Sequence, residues 1–513
     1  MITKTYSATV YGVDAKVISI EVNIVTGTKM VIVGLPDNAV KESQHRVESV
    51  IKHLDRFVPR HRIIVNLAPA SIKKEGAAYD LPIALAILHS SEQAHLDNLG
   101  SYMIAGELAL DGTLRPIRGT LPMALEAKRQ GYKGFILPKE NSPEAAIVEG
   151  LDIIPVQHIQ EAIDFLSGQK KIKPLFINPN ILFTNPDTKA PPHLDMRDIQ
   201  GQSHPKRALE IAAAGGHNLL MIGPPGVGKS MLSKRLPTIL PPLSLHEALE
   251  TTKIYSVAGK MGQQPLITQR PFRVPHHTIS EVALVGGGSI PQPGEISLAH
   301  HGVLSLEELT EFKRSVLEVL RQPLEDQCIT VTRTKLSLDF PANFMLIASM
   351  NPCPCGYYTH PEKACTCPPT LRKKYLSKIS GPLLDRIDIH LQVHPVKFNT
   401  KQRADQRESS QTIRTRVINT RQRQCRRFAP YPTLHSNAMI PPSLMQKMCP
   451  LTTESQTLLT RAMKKLSLST RAYDRILKVA RTIADLEEHI NINPTHIAEA
   501  IHLRSLDRES WAS

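Results

Sequence analysis

Eight residues near the middle of the chain carry its clearest chemistry. Gly223-Pro224-Pro225-Gly226-Val227-Gly228-Lys229-Ser230 follows the apolar run Asn218 to Ile222 and precedes the helical pattern MLSKRL. Glycines at this spacing let backbone N–H groups turn toward phosphate oxygens, and the start of the following helix adds its positive dipole end. A lysine in this position reaches the β and γ phosphates of a nucleoside triphosphate, while the serine hydroxyl ligates Mg²⁺. Such a string arises by chance on the order of once in fifty chains of this size. ATP with Mg²⁺ is therefore the expected ligand pair.

A phosphate cradle of this kind needs a carboxylate for the metal shell and a second to polarise water, both at the end of another buried strand. Gly302-Val-Leu-Ser-Leu-Glu307-Glu308 supplies that pattern. Adjacent glutamates alone are commonplace on solvated surfaces, but the apolar strand before them favours the catalytic reading. Four of the seven cysteines, Cys353, Cys355, Cys365 and Cys367, form two C-x-C arms. An odd cysteine number without an export signal argues against a disulfide framework. Four thiolates suit tetrahedral Zn²⁺, and reduced thiols are also compatible with this spacing; structural zinc is the preferred reading.

The elements that must position these groups fall into blocks. A chain of 513 residues exceeds the roughly 250–300 that one hydrophobic core sustains. Residues 1–167 mix alternating strands (Lys16 to Val25, Met30 to Val33, Arg62 to Leu67) with helices (Asn38 to His53, Leu81 to Leu88). Residues 168–194 are polar and proline-rich, and read as a linker. Residues 195–396 form a second α/β block whose near-continuous apolar strands (Asn218 to Ile222, Gly302 to Leu306, Phe344 to Ser349) suit a buried parallel sheet. From 397 to 513 strand signals vanish and helices are predicted over Asp405 to Arg427, Thr453 to Leu466, Thr470 to His489 and Pro494 to Leu503, a helical lid. No run is long and apolar enough for a membrane span, and the N-terminus lacks the apolar core of a signal peptide, so a cytoplasmic location is expected.

The net charge of +15 is uneven: residues 371–430 hold 15 Lys/Arg against 4 Asp/Glu, a local +11. Such a block is the footprint expected of a polyanion partner, and equally of a solvated arginine-rich helix. Arg414, Arg416, Arg421, Arg423, Arg426 and Arg427 are the candidates for phosphate contacts.

Together with these motifs, RPFRVPHHTISEVALVGGGSIPQPGEISLAHHGVLSLEEL, MNPCPCG and GPLLDRIDIH resemble the ComM/YifB family of magnesium-chelatase-like AAA+ ATPases over nearly the whole chain. The resemblance implies an α/β fold with a Lon/S5-like α+β N-terminal domain, a P-loop AAA+ core with a parallel sheet, and a C-terminal helical lid. It further implies that Asn351 is the sensor-1 residue, Arg386 an arginine finger offered to a neighbour's ATP, and Arg471 sensor 2. A finger acting in trans implies a homo-oligomeric ring, commonly a hexamer. The segment Arg270 to Ala299 resembles the helix-2 insertion of this clade, where Arg273, His276 and His277 are weaker candidates for touching a threaded strand. Two departures stand out: Glu307 occupies the place of an Asp, one methylene too long for an exacting Mg²⁺ shell, and Ser305 interrupts the apolar strand. A slowed ATPase is expected.

IAGELALDGTLRPIRGTLPMALEAKRQGYKGFILPKEN resembles the Lon protease domain. The nucleophile position carries Ala78, and the loop Arg118 to Met123 offers no lysine base, so acyl transfer has no starting point and a scaffold or partner-binding role is expected. The resemblance implies a motor on DNA, a helicase or branch-migration engine in recombination or natural transformation. The alternative is a protein-remodelling or regulatory ATPase indifferent to DNA. Magnesium insertion into a porphyrin would rest on fold alone.

Overall fold

The computed structural model describes residues 2–184, 194–262, 264–288, 291–333, 336–358, 360–395, 407–431, 433–466 and 468–504. These residues form two compact units: one of residues up to 184 with the segment Ser244–Thr268, the other of the remainder.

The first unit holds a mixed seven-stranded sheet in the order Met30–Val33, Arg62–Ala68, Asp14–Val25, Ile2–Tyr11, Tyr102–Ile104, Gly134–Pro138, Asp152–Val156. Ile2–Tyr11 and Asp14–Val25 pair as an antiparallel hairpin. Ile18, Ile20 and Val22 are buried while the residues between them are not, as period-two side chains require when one face is covered. Covering comes from Asp80–Ser90, buried from Asp80 to Leu88, and from Asn38–His53, which begins where the Asp37 carboxylate accepts from the Val40 N–H at 2.8 Å. Buried Asp80 accepts from Arg46 Nε at 2.6 Å and from the Leu108 N–H at 3.2 Å.

Two features of this unit were not legible in advance. Part of the proline-rich stretch is integrated rather than free: Leu175 N–H donates to Ile153 O at 2.8 Å, Ile177 N–H to Ala146 O at 2.9 Å, and Pro179–Thr184 is a short helix. Residues 185–193 of the expected linker lie outside the described residues. Second, Ser244–Thr268, which falls inside the expected ATPase block, packs here. Its helix Leu245–Val257, closed by a Ser244/Glu247 capping box, buries Thr251, Thr252, Ile254 and Val257. Gly119 N–H donates to Ser256 O at 3.2 Å, and Lys253 pairs with Asp14 at 2.9 Å.

The second unit is built on a five-stranded parallel sheet in the order Phe272–Arg273, Val303–Leu306, Met345–Met350, Leu219–Ile222, Ile389–Gln392. Every residue of Val303–Leu306, Met345–Met350 and Leu219–Ile222 is buried. Ser305 is the polar intruder, and its hydroxyl has no partner among the described residues. The lid helices Ser410–Phe428, Thr453–Lys465, Thr470–Leu486 and Pro494–His502 extend the same core, with Val417, Phe428, Ile476, Ile483 and Ile497 in one cluster with Leu219 and Ile389. The first lid helix starts later than its periodicity suggests because the Ser409 hydroxyl caps it, accepting from the Thr412 N–H at 3.2 Å. The expected boundary at 396/397 lies outside the described residues.

At the start of Ile389–Gln392 several polar groups are buried. Burial disfavours the ionised form of Asp388, yet Arg475 Nη1 at 2.7 Å and the adjacent His217 hold its carboxyl far below the usual range. Burial, aided by Arg504, pushes the His390 imidazole down to about 3. A histidine whose folded pKa lies below its unfolded value of about 6.5 lets the unfolded chain take up the proton first, so stability is lost as pH falls through this interval, by about 1.4 kcal/mol per pH unit. The fall in thermal midpoint between about pH 7.5 and about pH 5 should be smaller in His390→Gln than in the native chain, and an equal fall would refute that origin.

Candidate active site

The turn Gly223 to Gly228 leaves the end of Leu219–Ile222 and enters the helix Lys229–Arg235. Gly226 and Gly228 have φ of +79° and +92°, a region that side chains rarely adopt, and open space beside both shows that backbone conformation is what demands glycine there. Lys229 Nζ donates to Gly223 O at 2.5 Å, Pro224 O at 2.8 Å and Asn351 Oδ1 at 3.0 Å. Burial pushes this amine down to about 8, opposed by Glu308. Gln202, which no sequence motif singled out, holds the turn from outside: its amide donates to Val227 O at 3.2 Å and His394 O at 2.8 Å.

Ser230 Oγ donates to Glu307 Oε2 at 2.9 Å, so the longer acidic side chain does reach the hydroxyl. Its other oxygen, Oε1, is buried without a partner among the described residues. Glu308 follows with φ 55° and ψ 51°, a left-handed backbone that turns its side chain outward to 64% exposure. His277 Nδ1 lies 4.0 Å from Glu308 Oε2. Lys229, Ser230, Glu307, Glu308 and Asn351 thus collect at the C-terminal ends of three adjacent parallel strands.

Arg386 and Arg471 are elsewhere. Ile389–Gln392 runs parallel to Leu219–Ile222 with Ile389 opposite Leu219, so Arg386 stands before the start of these strands while the glycine-rich turn follows their end. Arg386 Nη1 donates to Pro382 O at 2.6 Å, Nη2 forms an ion pair with Glu325, and Nε is buried without a partner among the described residues. Arg471 is 61% exposed, with Nη1 3.9 Å from Asp385 Oδ2 beside Arg386. Neither is placed on its own chain's phosphate turn. Glu325, sixty-one positions from Arg386, left no trace in the sequence pattern.

The four clustered cysteines converge. Cys353 Sγ lies 3.3 Å from Cys355 Sγ and 3.7 Å from Cys365 Sγ; Cys355 and Cys365 are 3.6 Å apart, and the Cys355 N–H donates to Cys367 Sγ at 3.4 Å. All four sulfurs lie within 4.8 Å of one another. Burial pushes the Cys353 thiol up to about 12, whereas the Tyr357 backbone N–H draws Cys355 down to about 5. The loop abuts the phosphate turn: a Cβ on Gly356, at φ +84°, would stand 2.7 Å from Pro225 Cδ.

Five of the six lid arginines are engaged within the chain, which the charge count did not foresee. Arg414 Nε donates to Leu240 O at 3.1 Å, and Arg416 binds Glu210 at 2.5 Å and Glu408 at 2.6 Å. Arg421 donates to Ala213 O and His435 O, Arg423 to Asp485 O with an ion pair to Glu488, and Arg427 grips the Asp485 carboxylate and Asn437. Long side chains on one helix fold back to satisfy carbonyls and carboxylates of neighbouring helices, leaving Arg426 exposed. In the insertion, Arg273 makes a bidentate pair with Glu295 at 2.6 and 2.8 Å. In the first unit, Lys73 pairs with Glu75 at 2.7 Å on the surface and Lys74 donates to Pro69 O.

Three family descriptions match the chain: Magnesium chelatase, subunit ChlI over residues 195–401; Subunit ChlI of Mg-chelatase over 20–141; and Magnesium chelatase, subunit ChlI C-terminal over 407–504. YifB of Salmonella typhimurium is 45% identical over 500 residues, covering 97% of this chain and 96% of its own length. The competence protein ComM of Haemophilus influenzae is 42% identical over 508 residues, covering 98% and 97%. The chain belongs to the ComM/YifB family. A shorter likeness, 38% over 111 residues or 21% of this chain and 23% of the relative, links this ComM/YifB family member to the DNA repair protein RadA of Aquifex aeolicus. Its fold is the expected one, a mixed α/β first unit, an AAA+ core on a parallel sheet and a helical C-terminus.

The contact between the cysteine loop and the phosphate turn generates a prediction. Gly356→Ala must displace Pro225 or strain its own backbone, so affinity for a fluorescent ATP analogue should fall at least several-fold; unchanged affinity would show that the two loops move independently.

Proposed function

We propose that the chain is an ATP-hydrolysing ring motor acting on DNA, a helicase or branch-migration engine of recombination or natural transformation. One observation supports the ATPase reading: Lys229, Ser230, Glu307, Glu308 and Asn351 gather at one edge of the sheet, while Arg386, paired with Glu325, and the exposed Arg471 lie toward the opposite edge. A site so divided is completed only by a second copy, which favours a closed homo-oligomeric ring of about six subunits.

The residues fit the expected ligands. The unpartnered Glu307 oxygen beside Ser230 is a donor pair for Mg²⁺, whose bound charge neutralises the phosphates. Lys229 exchanges the carbonyls of Gly223 and Pro224 for the β and γ oxygens. Glu308 and Asn351 orient the attacking water, and the neighbour's Arg386 and Arg471 stabilise charge developing on the transferred phosphoryl group. DNA as the substrate is supported by the relatives, a competence protein and a DNA repair protein.

The four cysteines hold a structural Zn²⁺. Tetrahedral zinc with bonds of about 2.3 Å sets its sulfurs about 3.8 Å apart; the Cys353–Cys365 and Cys355–Cys365 separations of 3.7 and 3.6 Å fit that spacing, and Cys353 and Cys355, at 3.3 Å, would spread by about half an ångström. Elemental analysis of the purified chain should give one zinc per subunit, reduced by Cys365→Ser; four titratable thiols without bound metal would defeat the assignment.

The motor reading is tested by ATPase turnover with strand displacement on forked DNA. Lys229→Ala should abolish nucleotide binding. Glu308→Gln and Arg386→Ala should lower turnover at least about a hundredfold while leaving ATP affinity within a few-fold. If Glu307 slows hydrolysis, Glu307→Asp raises turnover. A native ring no faster than Lys229→Ala is a nucleotide-binding switch, and turnover indifferent to DNA favours the protein-remodelling or regulatory alternative.

A further inference from the structure

With five lid arginines engaged inside the chain, the charge left to meet a polyanion lies elsewhere in the second unit. Part of it lies between the two arms of the cysteine cluster and on the helix that follows them. From Tyr357 to Lys378 the sequence holds five Lys/Arg and one Glu. Lys363, Lys373 and Lys374 are exposed, Arg372 is half-buried, and among the described residues none of the four is paired with a carboxylate. Two of them instead sit over aromatic rings: the Arg372 guanidinium is 3.9 Å from the Tyr358 ring centroid, and Lys363 Nζ is 5.0 Å from that of Tyr357. Tyr358 is 42% exposed.

This patch has a firm base. The cysteine cluster fixes one end. At the other, the helix Pro369–Leu376 is tied to the acidic loop, where the Thr310 hydroxyl donates to the Tyr375 hydroxyl at 2.5 Å and Lys378 Nζ donates to Thr310 O at 2.9 Å. Thr310 is two residues beyond Glu308, so a ligand seated on the patch is one short, rigid connection from the candidate catalytic carboxylate.

We infer that Tyr358, Lys363, Arg372, Lys373 and Lys374 form a contact site for single-stranded DNA. An exposed ring with a guanidinium over one face, on a segment that also carries unpaired lysines, matches the chemistry of strand binding without sequence readout: a base stacks on the other face of the ring and the ammonium groups meet phosphates. Stacking on a protein ring requires a base freed from its partner strand, which selects single-stranded over duplex DNA. The inference rests on the DNA-motor reading above and assigns it a surface.

Fluorescence anisotropy with a labelled oligothymidylate and a duplex of equal length, using the full chain with ATP, tests it. Combined Lys363→Gln, Lys373→Gln and Lys374→Gln should weaken oligothymidylate binding at least about tenfold and reduce the slope of log affinity against log salt by about two, at about 0.7 for each lost phosphate contact. Tyr358→Ala should weaken it by on the order of tenfold, Tyr358→Phe should restore it, and the duplex should be affected less. Native thermal midpoint and metal content in each variant serve as the check on folding. If the native chain binds oligothymidylate but the lysine and Tyr358 variants match it, or if Arg426→Gln alone abolishes binding, this surface is wrong while the DNA reading stands. If the native chain binds no DNA, both fall. An equal loss on duplex and single strand overturns the stacking role.

Discussion

The strand Leu219–Ile222 is hydrogen-bonded on both flanks, to Met345–Met350 and to Ile389–Gln392, and in both cases the pairing is parallel. Parallel pairing sends every strand's C-terminal end to one edge. The phosphate turn, the Glu307–Glu308 corner and Asn351 therefore meet without any of the intervening chain having to be specified for that purpose. The same geometry sends Arg386, which precedes its strand, to the opposite edge. Glu325 occupies that arginine in the single chain. A neutral isostere there would leave a mostly buried guanidinium without its counter-charge, a costly arrangement. In the proposed ring a neighbour's phosphates would take the place of Glu325 as the anion facing this guanidinium.

Charge in the second unit is divided between cohesion and display. Asp485 shows the cohesive use: it accepts from Arg427 and Asn437 and pairs with buried Arg481, gathering three segments of the lid around one carboxylate. Near-complete burial makes such a node specific, because removing any member leaves another unpaired. Lys363, Lys373 and Lys374 show the other use, cations held at the surface by a cross-linked loop and a short helix.

Sequence legibility followed the locality of the interactions. The phosphate turn, the strands on either side and the capped helices Asn38–His53 and Thr470–Leu486 are set by neighbours a few positions away, and periodicity located them closely. The convergence of Cys353, Cys355, Cys365 and Cys367 was legible because two short arms close on each other. What was not legible depends on partners far along the chain: Glu210 for Arg416, Asp485 for Arg427, Glu325 for Arg386. A run of arginines looks the same in sequence whether it faces solvent or carbonyls, so net charge alone could not separate Arg426 from its internally bonded neighbours. Gln202 escaped notice because a single amide spanning Val227 and His394 has no periodic signature.

The excursion Ser244–Thr268 leaves the second unit after Leu243 and re-enters it before Gln269, having packed Thr251, Thr252, Ile254 and Val257 into the first. The two units are thus interleaved along the gene rather than joined end to end. Excising residues up to 184 alone would leave the half-buried helix Leu245–Val257 without the unit it packs in. In this chain the first unit is therefore not a segment that ends before the second begins.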